Sequence, residues 1–258
     1  MTAKIVEYAE LLAEAESSAI AIDPLTALYP DLSVNEAYSI QLENIAKKVE
    51  EGNKIVGKKI GLTSLAMQKL LGVNEPDYGH LLDNMVIENG GLVSMEQVLQ
   101  PKVEAEIAFV LKKELRGPNI TALDVLQATD YIVPALEIVD SRIKDWKIKL
   151  QDTIADNASS AFYVLGGKPA KVEDVDLELL GVAFTKNGDL VNTGVGAAAL
   201  GNPANCVAWL ANRLSDFDIS LMPGEVILSG ALSAAAEAKS GDVFTARFAH
   251  LGQVSVRF

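Results

Sequence analysis

Apolar residues recur at helical spacing early in the chain and then gather into short runs separated by turn residues. Ile5, Tyr8, Ala9 and Leu12 repeat at threes and fours and predict a helix over residues 4–16. Asp23-Pro24 and Tyr29-Pro30 mark a loop. Ser33 and Glu36 then form a capping box, Tyr38, Leu42, Ile45 and Val49 continue the period, and Gly52 supplies the stop, which predicts a second helix. Neither helix has a core of its own, so residues 1–53 read as a small helical cap on the remainder of the chain.

From residue 54 the pattern changes. Residues 54–62 read as a strand, and alternation places Lys58 and Lys59 on opposite faces, one inward and one outward. Thr63 or Ser64 caps a short helix containing Met67, Leu70 and Leu71 and closed by Gly72. Residues 75–83 are polar and turn-rich, the composition of a loop that carries function. Further strands are predicted over 103–111, 131–139, 226–232, 243–248 and 254–258, a hairpin over 182–191 about Asn187-Gly188, and a helix opening at Asn202-Pro203 over Val207, Leu210, Ala211 and Leu214. This order predicts a β-rich α+β domain with peripheral helices, not a regular βαβ alternation.

Three acidic residues break the apolar runs. Glu104 and Glu106 sit two apart in the 103–111 run, and Glu137 sits in the 131–139 run. In an extended chain residues two apart share a face about 6.5–7 Å apart, so both carboxylates can lean toward one ion. Buried unpaired carboxylates either protonate or bind a hard divalent cation. The alternative is a solvated edge strand with its glutamates outward.

Composition narrows the remaining choices. Thirty-five Asp and Glu against twenty-two Lys and Arg give a net charge of −13, which disfavours nucleic acid and anionic membranes as partners. An anionic substrate would need a locally positive site. The start of the chain lacks the pattern of a secretory signal and no apolar run is long enough to span a bilayer, so the expected location is cytoplasmic. The single Cys206 excludes an intrachain disulfide and reads as a packed helix residue. Nucleotide-binding glycine motifs, zinc-ligand spacings and a Gly-x-Ser-x-Gly elbow are all missing from the sequence.

Gly57-Lys-Lys-Ile-Gly-Leu-Thr63, Pro76-Asp-Tyr-Gly79, Pro101-Lys-Val-Glu-Ala-Glu106, Pro134-Ala-Leu-Glu-Ile-Val-Asp-Ser-Arg142 and Asp145-Trp-Lys-Ile together resemble the 2-hydroxypenta-2,4-dienoate (2-oxopent-4-enoate) hydratases of aromatic meta-cleavage pathways. Asp152-Thr-Ile-Ala-Asp-Asn-Ala-Ser-Ser160 and Ser229-Gly-Ala-Leu232 add to the likeness, which runs along nearly the whole chain. These enzymes form the hydratase/decarboxylase branch of the fumarylacetoacetate hydrolase superfamily. The resemblance implies a mixed β roll or barrel-like core with flanking helices, its catalytic domain over 54–258. It implies Mg²⁺ or Mn²⁺ held by Glu104, Glu106 and Glu137, with Lys59 as the active-site lysine and Asp77 as the acid/base residue. It also implies substrate contacts from Tyr78, Gly79, Ser159, Ser160 and Ser229, a small 2-oxo or 2-hydroxy acid as substrate, and a homo-oligomer that could associate with a sister decarboxylase.

That sister, 4-oxalocrotonate decarboxylase, is the second reading, and a non-catalytic partner subunit is a third. Asp77, the 145–148 block and the run from Gln151 resemble the hydratase side, whereas Asp174-Val-Asp176 and Ser233-Ala-Ala-Ala236 resemble the decarboxylase side. Retention of all three carboxylates with Lys59 speaks against a dead scaffold. Around this set, Asp140 and Arg142 are expected to pair, Asp156 and Asn157 to support the site or cap a helix, and His80 and Lys58 to be polar surface.

Overall fold

The computed structural model describes residues 3–258; the side chains of Leu70 and Leu71, expected in the short helix, lie outside that description. The helices are α1 (Ala3–Ser18), α2 (Leu25–Leu28), α3 (Val34–Glu50), α4 (Leu65–Leu71), α5 (Ala122–Ala128), α6 (Leu150–Ala155) and α7 (Pro203–Leu214). The strands are β1 (Ile55–Gly61), β2 (Asp77–Leu82), β3 (Val86–Ile87), β4 (Lys102–Leu111), β5 (Thr129–Val139) and β6 (Ser160–Leu165). They continue with β7 (Gly181–Lys186), β8 (Asp189–Val195), β9 (Val226–Leu228), β10 (Ala236–Glu237), β11 (Val243–Phe248) and β12 (Gly252–Arg257).

Eight strands form one mixed sheet in the order β2-β1-β9-β4-β5-β6-β3, with β10 also pairing β4. β1 runs parallel to β9 and β3 to β6, while the long β4–β5 pair at the centre is antiparallel and sets Glu104 opposite Glu137. A second sheet, β12-β11-β7-β8, carries the hairpin, whose turn residues Asn187 and Gly188 both take the positive φ that a tight two-residue turn needs.

Alternation divides the central sheet's side chains into two sets. Val103, Ala105, Ile107 and Phe109 of β4 join Ile132, Leu136 and Ile138 of β5 in the main core. The intervening positions form a smaller cluster of Leu81, Ala108, Val133, Ala135 and Leu228, and the three glutamates continue that face. The α1 residues Ile5, Tyr8 and Leu12 and the α3 residues Tyr38 and Ile40 pack into the same main core as the sheet.

The α3 capping box forms as expected, but the buried stripe does not match the predicted one. Gln41 turns inward, donating to the carbonyls of Tyr78 (3.0 Å) and Ile154 (2.7 Å), and Val49 is left 42% exposed. A polar anchor, satisfied on both sides, has overridden the apolar period. Among the described residues no helix is long and apolar enough to cross a membrane.

The cap is also tied to α6 through Asp152. Its carboxylate accepts the backbone N–H (2.9 Å) and hydroxyl (2.7 Å) of Thr26 and the N–H of Lys149 (2.9 Å), and Asp152 and Thr26 are buried. Replacing Asp152 with Ala strands these donors, and urea unfolding is expected to show a loss of about 3 kcal/mol. A loss within about 0.5 kcal/mol, the range of ordinary surface changes, would contradict this role.

Candidate active site

The acidic cluster is an interior feature, because β4 lies between β9 and β5 and is not an edge. Glu106 and Glu137 are fully buried and Glu104 is half-buried, so the solvated-edge alternative does not describe them. One carboxylate oxygen from each of Glu104, Glu106 and Glu137 lies within 4.8 Å of the others. Glu106 Oε2 accepts the N–H of Gly230 at 2.8 Å, whereas Glu106 Oε1 and Glu137 Oε2 are buried without a hydrogen-bond donor and Glu137 Oε1 meets the Lys59 ammonium. Three converging carboxylates with vacant lone pairs, all hard oxygen donors, fit a divalent cation.

The electrostatics point the same way. Burial, then the charge of Glu137, pushes the Glu104 carboxyl up to about 7. Burial also raises Glu106, with Glu137 and Glu104 adding to the effect, and it raises Glu137 against the pull of Lys59. Without a cation the cluster holds protons that a carboxylate in water would have lost.

Lys59 is buried on β1 with its ammonium 3.2 Å from Glu137 Oε1. Its Nζ donates to the carbonyl of Ala158 at 2.9 Å. Burial pulls its pKa down, but Glu137, Asp77, Glu104 and Glu106 outweigh that and leave it raised, so the lysine is a fixed cation. Asp77 starts β2 opposite Gly61, and its Oδ1 is buried without a hydrogen-bond partner. Burial raises the Asp77 carboxyl above its usual range, opposed by Lys59. Gly61 makes this neighbourhood possible: a Cβ there would collide with Asp77 Oδ1 and stand 3.4 Å from Lys59 Nζ.

The carbonyl that positions Lys59 belongs to an unusual turn. Asn157, Ala158 and Ser159 all have left-handed φ (53°, 49° and 54°), a conformation that costs an L-residue roughly 1–2 kcal/mol each. Two clamps hold it. Asn157 brackets β2, its amide donating to the carbonyl of His80 (3.0 Å) and its side-chain oxygen accepting the N–H of His80 (2.8 Å). Arg142 is bound to Asp156 through Nε, donates from Nη2 to the Asp156 carbonyl (2.6 Å), and donates from Nη1 to the carbonyls of Asp140 (2.7 Å) and Ser160 (3.3 Å). The expected Asp140–Arg142 pair is therefore not formed; the Asp140 carboxylate accepts the N–H groups of Leu99 and Gln100.

The remaining expected residues divide by strand parity. Gly79 lies on the Lys59 side, where a Cβ would collide with the Asn157 carbonyl, so the strand and turn touch through it. Tyr78 points the other way: its ring stacks on Tyr38 at 4.5 Å in the main core, away from the carboxylates. Ser160 and Ser229 are buried with hydroxyls lacking a partner, and the Ser159 hydroxyl lies 3.4 Å from that of Thr153. His80 and Lys58 are buried rather than surface groups. His80 meets Gln41 Oε1 at 3.0 Å, with its pKa pushed down to about 3 by burial and by Lys58, and Lys58 pairs with Glu225 at 2.8 Å. Hydropathy pattern and motif spacing do not single out Gly61, Gly230, Gln41 or the Ala158 carbonyl as contributors. Beside Glu104 a cleft of about 610 Å³ opens between the end of β1, α4 and residues 231–235.

The chain is similar to known proteins along nearly its whole length. A model of the fumarylacetoacetate (FAA) hydrolase C-terminal family matches residues 65–258. The chain is 47% identical over 252 residues to a 2-keto-4-pentenoate hydratase of Paraburkholderia xenovorans, covering 98% of this chain and 94% of the relative. It is 44% identical over 255 residues to a 4-oxalocrotonate decarboxylase of Pseudomonas putida, covering 99% and 97%. The solved structure of 4-oxalocrotonate decarboxylase from Pseudomonas putida G7, complexed with magnesium and adipate, superposes with a TM-score of 0.97 at 41% identity, covering 99% of this chain and 97% of that one.

The clamp and the carboxylates can each be tested. Arg142→Met leaves Asp156 buried without its partner and is expected to cost about 3–5 kcal/mol in urea unfolding; an unchanged midpoint would remove Arg142 as the clamp. The second test concerns pH. A cation binds the ionised carboxylates, so below about pH 7 it must displace protons from Glu104 and its raised neighbours. Apparent Mg²⁺ affinity should therefore fall as pH drops through 7, about tenfold per unit for each proton displaced. Raised carboxyls favour the folded state only while protonated, so the metal-free protein should lose stability as pH rises through 7. Calorimetric titration at pH 6 and pH 8 in buffers of different ionisation heat reads the released protons; none released would contradict the assignment.

Proposed function

The chain belongs to the fumarylacetoacetate hydrolase family, and from that membership and the site geometry we propose a metal-dependent hydratase acting in aromatic meta-cleavage catabolism. It is a hydro-lyase that adds water to 2-hydroxypenta-2,4-dienoate (2-oxopent-4-enoate) to give 4-hydroxy-2-oxopentanoate. The observation that carries hydration over decarboxylation is Asp77, a buried carboxyl of raised pKa with a free oxygen beside Lys59. Adding water needs a group that takes a proton and returns it, whereas expelling CO₂ needs only an electron sink.

We assign Glu104, Glu106 and Glu137 as ligands of Mg²⁺ or Mn²⁺, on the strength of their all-oxygen donor set and unpartnered lone pairs. A cation held there would supply Lewis acidity, drawing electron density from an α-keto acid. The dienol first loses its hydroxyl proton and gains one at its terminal carbon, giving the conjugated 2-oxo-3-enoate. The oxygen of water then bonds to C4, its proton passes to the base, and C3 is protonated. Lys59, fixed by Ala158 and Glu137, places a permanent positive charge where negative charge develops on the substrate. Asp77 is assigned as the proton carrier, since its carboxyl stands buried near Lys59 with one oxygen unpartnered and burial raises its pKa. Ser160 and Ser229, with free buried hydroxyls, are assigned to the substrate carboxylate, with Ser159 and the narrow strand at Gly79 shaping that wall. Tyr78 receives no role in contacting substrate.

Glu106→Gln is expected to abolish metal-dependent turnover, and Asp77→Asn to lower the hydration rate by about 10²–10⁴-fold. Both are read by loss of dienoate absorbance and by product analysis. Full activity of Asp77→Asn, or release of CO₂ from 2-oxo-3-hexenedioate faster than hydration of the dienoate, would favour the decarboxylase reading suggested by the similar Pseudomonas putida enzyme.

A further inference from the structure

The Asp145-Trp-Lys-Ile block forms a strap against the start of β4, the strand that carries two of the glutamates. Asp145 and Trp146 both take left-handed φ (57° and 54°), a conformation that sterics disfavour outside glycine and that tertiary contacts must hold in place. Those contacts lead to β4. The Trp146 indole N–H donates to the carbonyl of Gln100 at 3.0 Å, and the Lys102 ammonium lies 4.2 Å from the centre of the Trp146 ring. An ammonium within about 6 Å of an indole face is attracted by it, so the strap fixes the end of a flexible side chain.

Strand parity gives that position its meaning. Lys102, Glu104 and Glu106 alternate with the core residues Val103 and Ala105, so all three share the face that Glu137 completes from β5. Lys102 and Glu104 both line the cleft of about 610 Å³, with Thr63, Ser64 and Ser233 as uncharged polar neighbours. Burial and Glu137 raise the Glu104 carboxyl, and Lys59 and Lys102 oppose them. Glu237 faces Lys102 across the β4–β10 pair but is exposed, where water and salt screen it.

The charge on this face calls for a second cation. A divalent ion would neutralise two of the three glutamates and Lys59 the third, so the filled site has no net positive charge to offer an incoming anion. Asp77, when ionised, makes it negative. The net charge of −13 on the whole chain also repels a carboxylate at long range. Among the described residues that line the cleft, Lys102 is the one cation.

We propose that Lys102, stationed beside Glu104 by the Trp146 ring, recruits the substrate's carboxylate to the metal-loaded site, with Trp146 as its positioning residue. The proposal rests on the metal-dependent reading above and adds a substrate-recruiting cation to it. Such a residue acts with opposite sign on two ligands, since it repels a metal ion and attracts an anion. Residues two apart on a strand lie about 7 Å apart, and at an effective dielectric constant of roughly 40–80 one unit charge there alters another's binding by about three- to eightfold.

The experiment measures two affinities by calorimetry at pH 8: Mg²⁺ for the substrate-free protein, and 2-oxopentanoate for the Mg²⁺-saturated protein. This saturated keto acid has no double bond to hydrate. Lys102→Met is expected to bind Mg²⁺ about threefold or more tightly and 2-oxopentanoate about threefold or more weakly, the second effect shrinking in 0.5 M NaCl. Lys102→Arg keeps both the charge and the contact with the ring and should restore both affinities. Trp146→Leu, which frees the ammonium, should weaken 2-oxopentanoate, and Trp146→Phe should recover most of the loss. On the dienoate, Lys102→Met should lower kcat/KM in step with the keto-acid affinity while kcat holds within about twofold. Loss of both affinities in Lys102→Met, the mark of a merely structural residue, would overturn the proposal, as would unchanged 2-oxopentanoate binding in Lys102→Met or in Trp146→Leu. A wild-type protein that binds Mg²⁺ and 2-oxopentanoate but leaves the dienoate unhydrated would instead sink the hydratase reading, with Lys102 still judged by the two affinities.

Discussion

The structure depends on three carboxylates brought face to face across a single strand pair in the middle of a sheet. Such a cluster repels itself, and burial strengthens the repulsion by removing the water that would screen it. The protein supplies one ammonium, Lys59, and one backbone donor, Gly230, and these leave Glu106 Oε1 and Glu137 Oε2 buried without partners. The arrangement is therefore completed by something that binds. The β4–β5 register fixes it: a slip by one residue would turn the carboxylates into the main core and bring Ala105 or Val103 to the site face. The long apolar ladder on either side specifies that register and so holds the repulsive cluster in place.

Lys59 cannot be kept in position by β1 alone, because a four-carbon side chain is flexible. Its other anchor is the Ala158 carbonyl, presented by a turn whose backbone is unfavourable on its own. That turn borrows its stability from Arg142, from Asn157 and, one step further out, from α6. The N-terminal helices enter here, since Gln41 of α3 binds the carbonyls of both Tyr78 and Ile154, and Thr26 binds Asp152. Segments more than a hundred residues apart thus converge on one carbonyl oxygen. The helical opening of the chain belongs to the support of the site as well as to its core.

The legible parts of this site are those written in strand periodicity. Glu104 and Glu106 stand out because they interrupt an apolar run at a spacing of two, and alternation separates Lys59 from Lys58. Tyr78 is different: residues 75–83 read as a loop in the sequence, and only the structure shows strand β2 there, whose parity sets Asp77 and Gly79 on one face and Tyr78 and His80 on the other. Lys58 reads as surface because charge in a strand suggests water, and His80 because its segment reads as a loop, whereas Glu225 and Gln41 satisfy them inside. Proximity in sequence matches Arg142 to Asp140, but a guanidinium with five donors reaches the turn fourteen residues away. The left-handed run at Asn157–Ser159 carries no glycine, and composition alone gives no sign of a conformation imposed by tertiary contacts.

A cation and three glutamates are common ground for adding water to an α-keto acid and for removing CO₂ from one, because both reactions need the same withdrawal of electrons. The choice between them must lie in groups that the cation does not touch. On the proposed assignment that group is Asp77, whose place beside Lys59 is open only because Gly61 lacks a Cβ. A methyl group at position 61 would displace Asp77 while leaving all three glutamates on their strands. If Asp77 is the proton carrier proposed above, such a chain would lose it and keep its electron sink, and decarboxylation asks for no more than that sink.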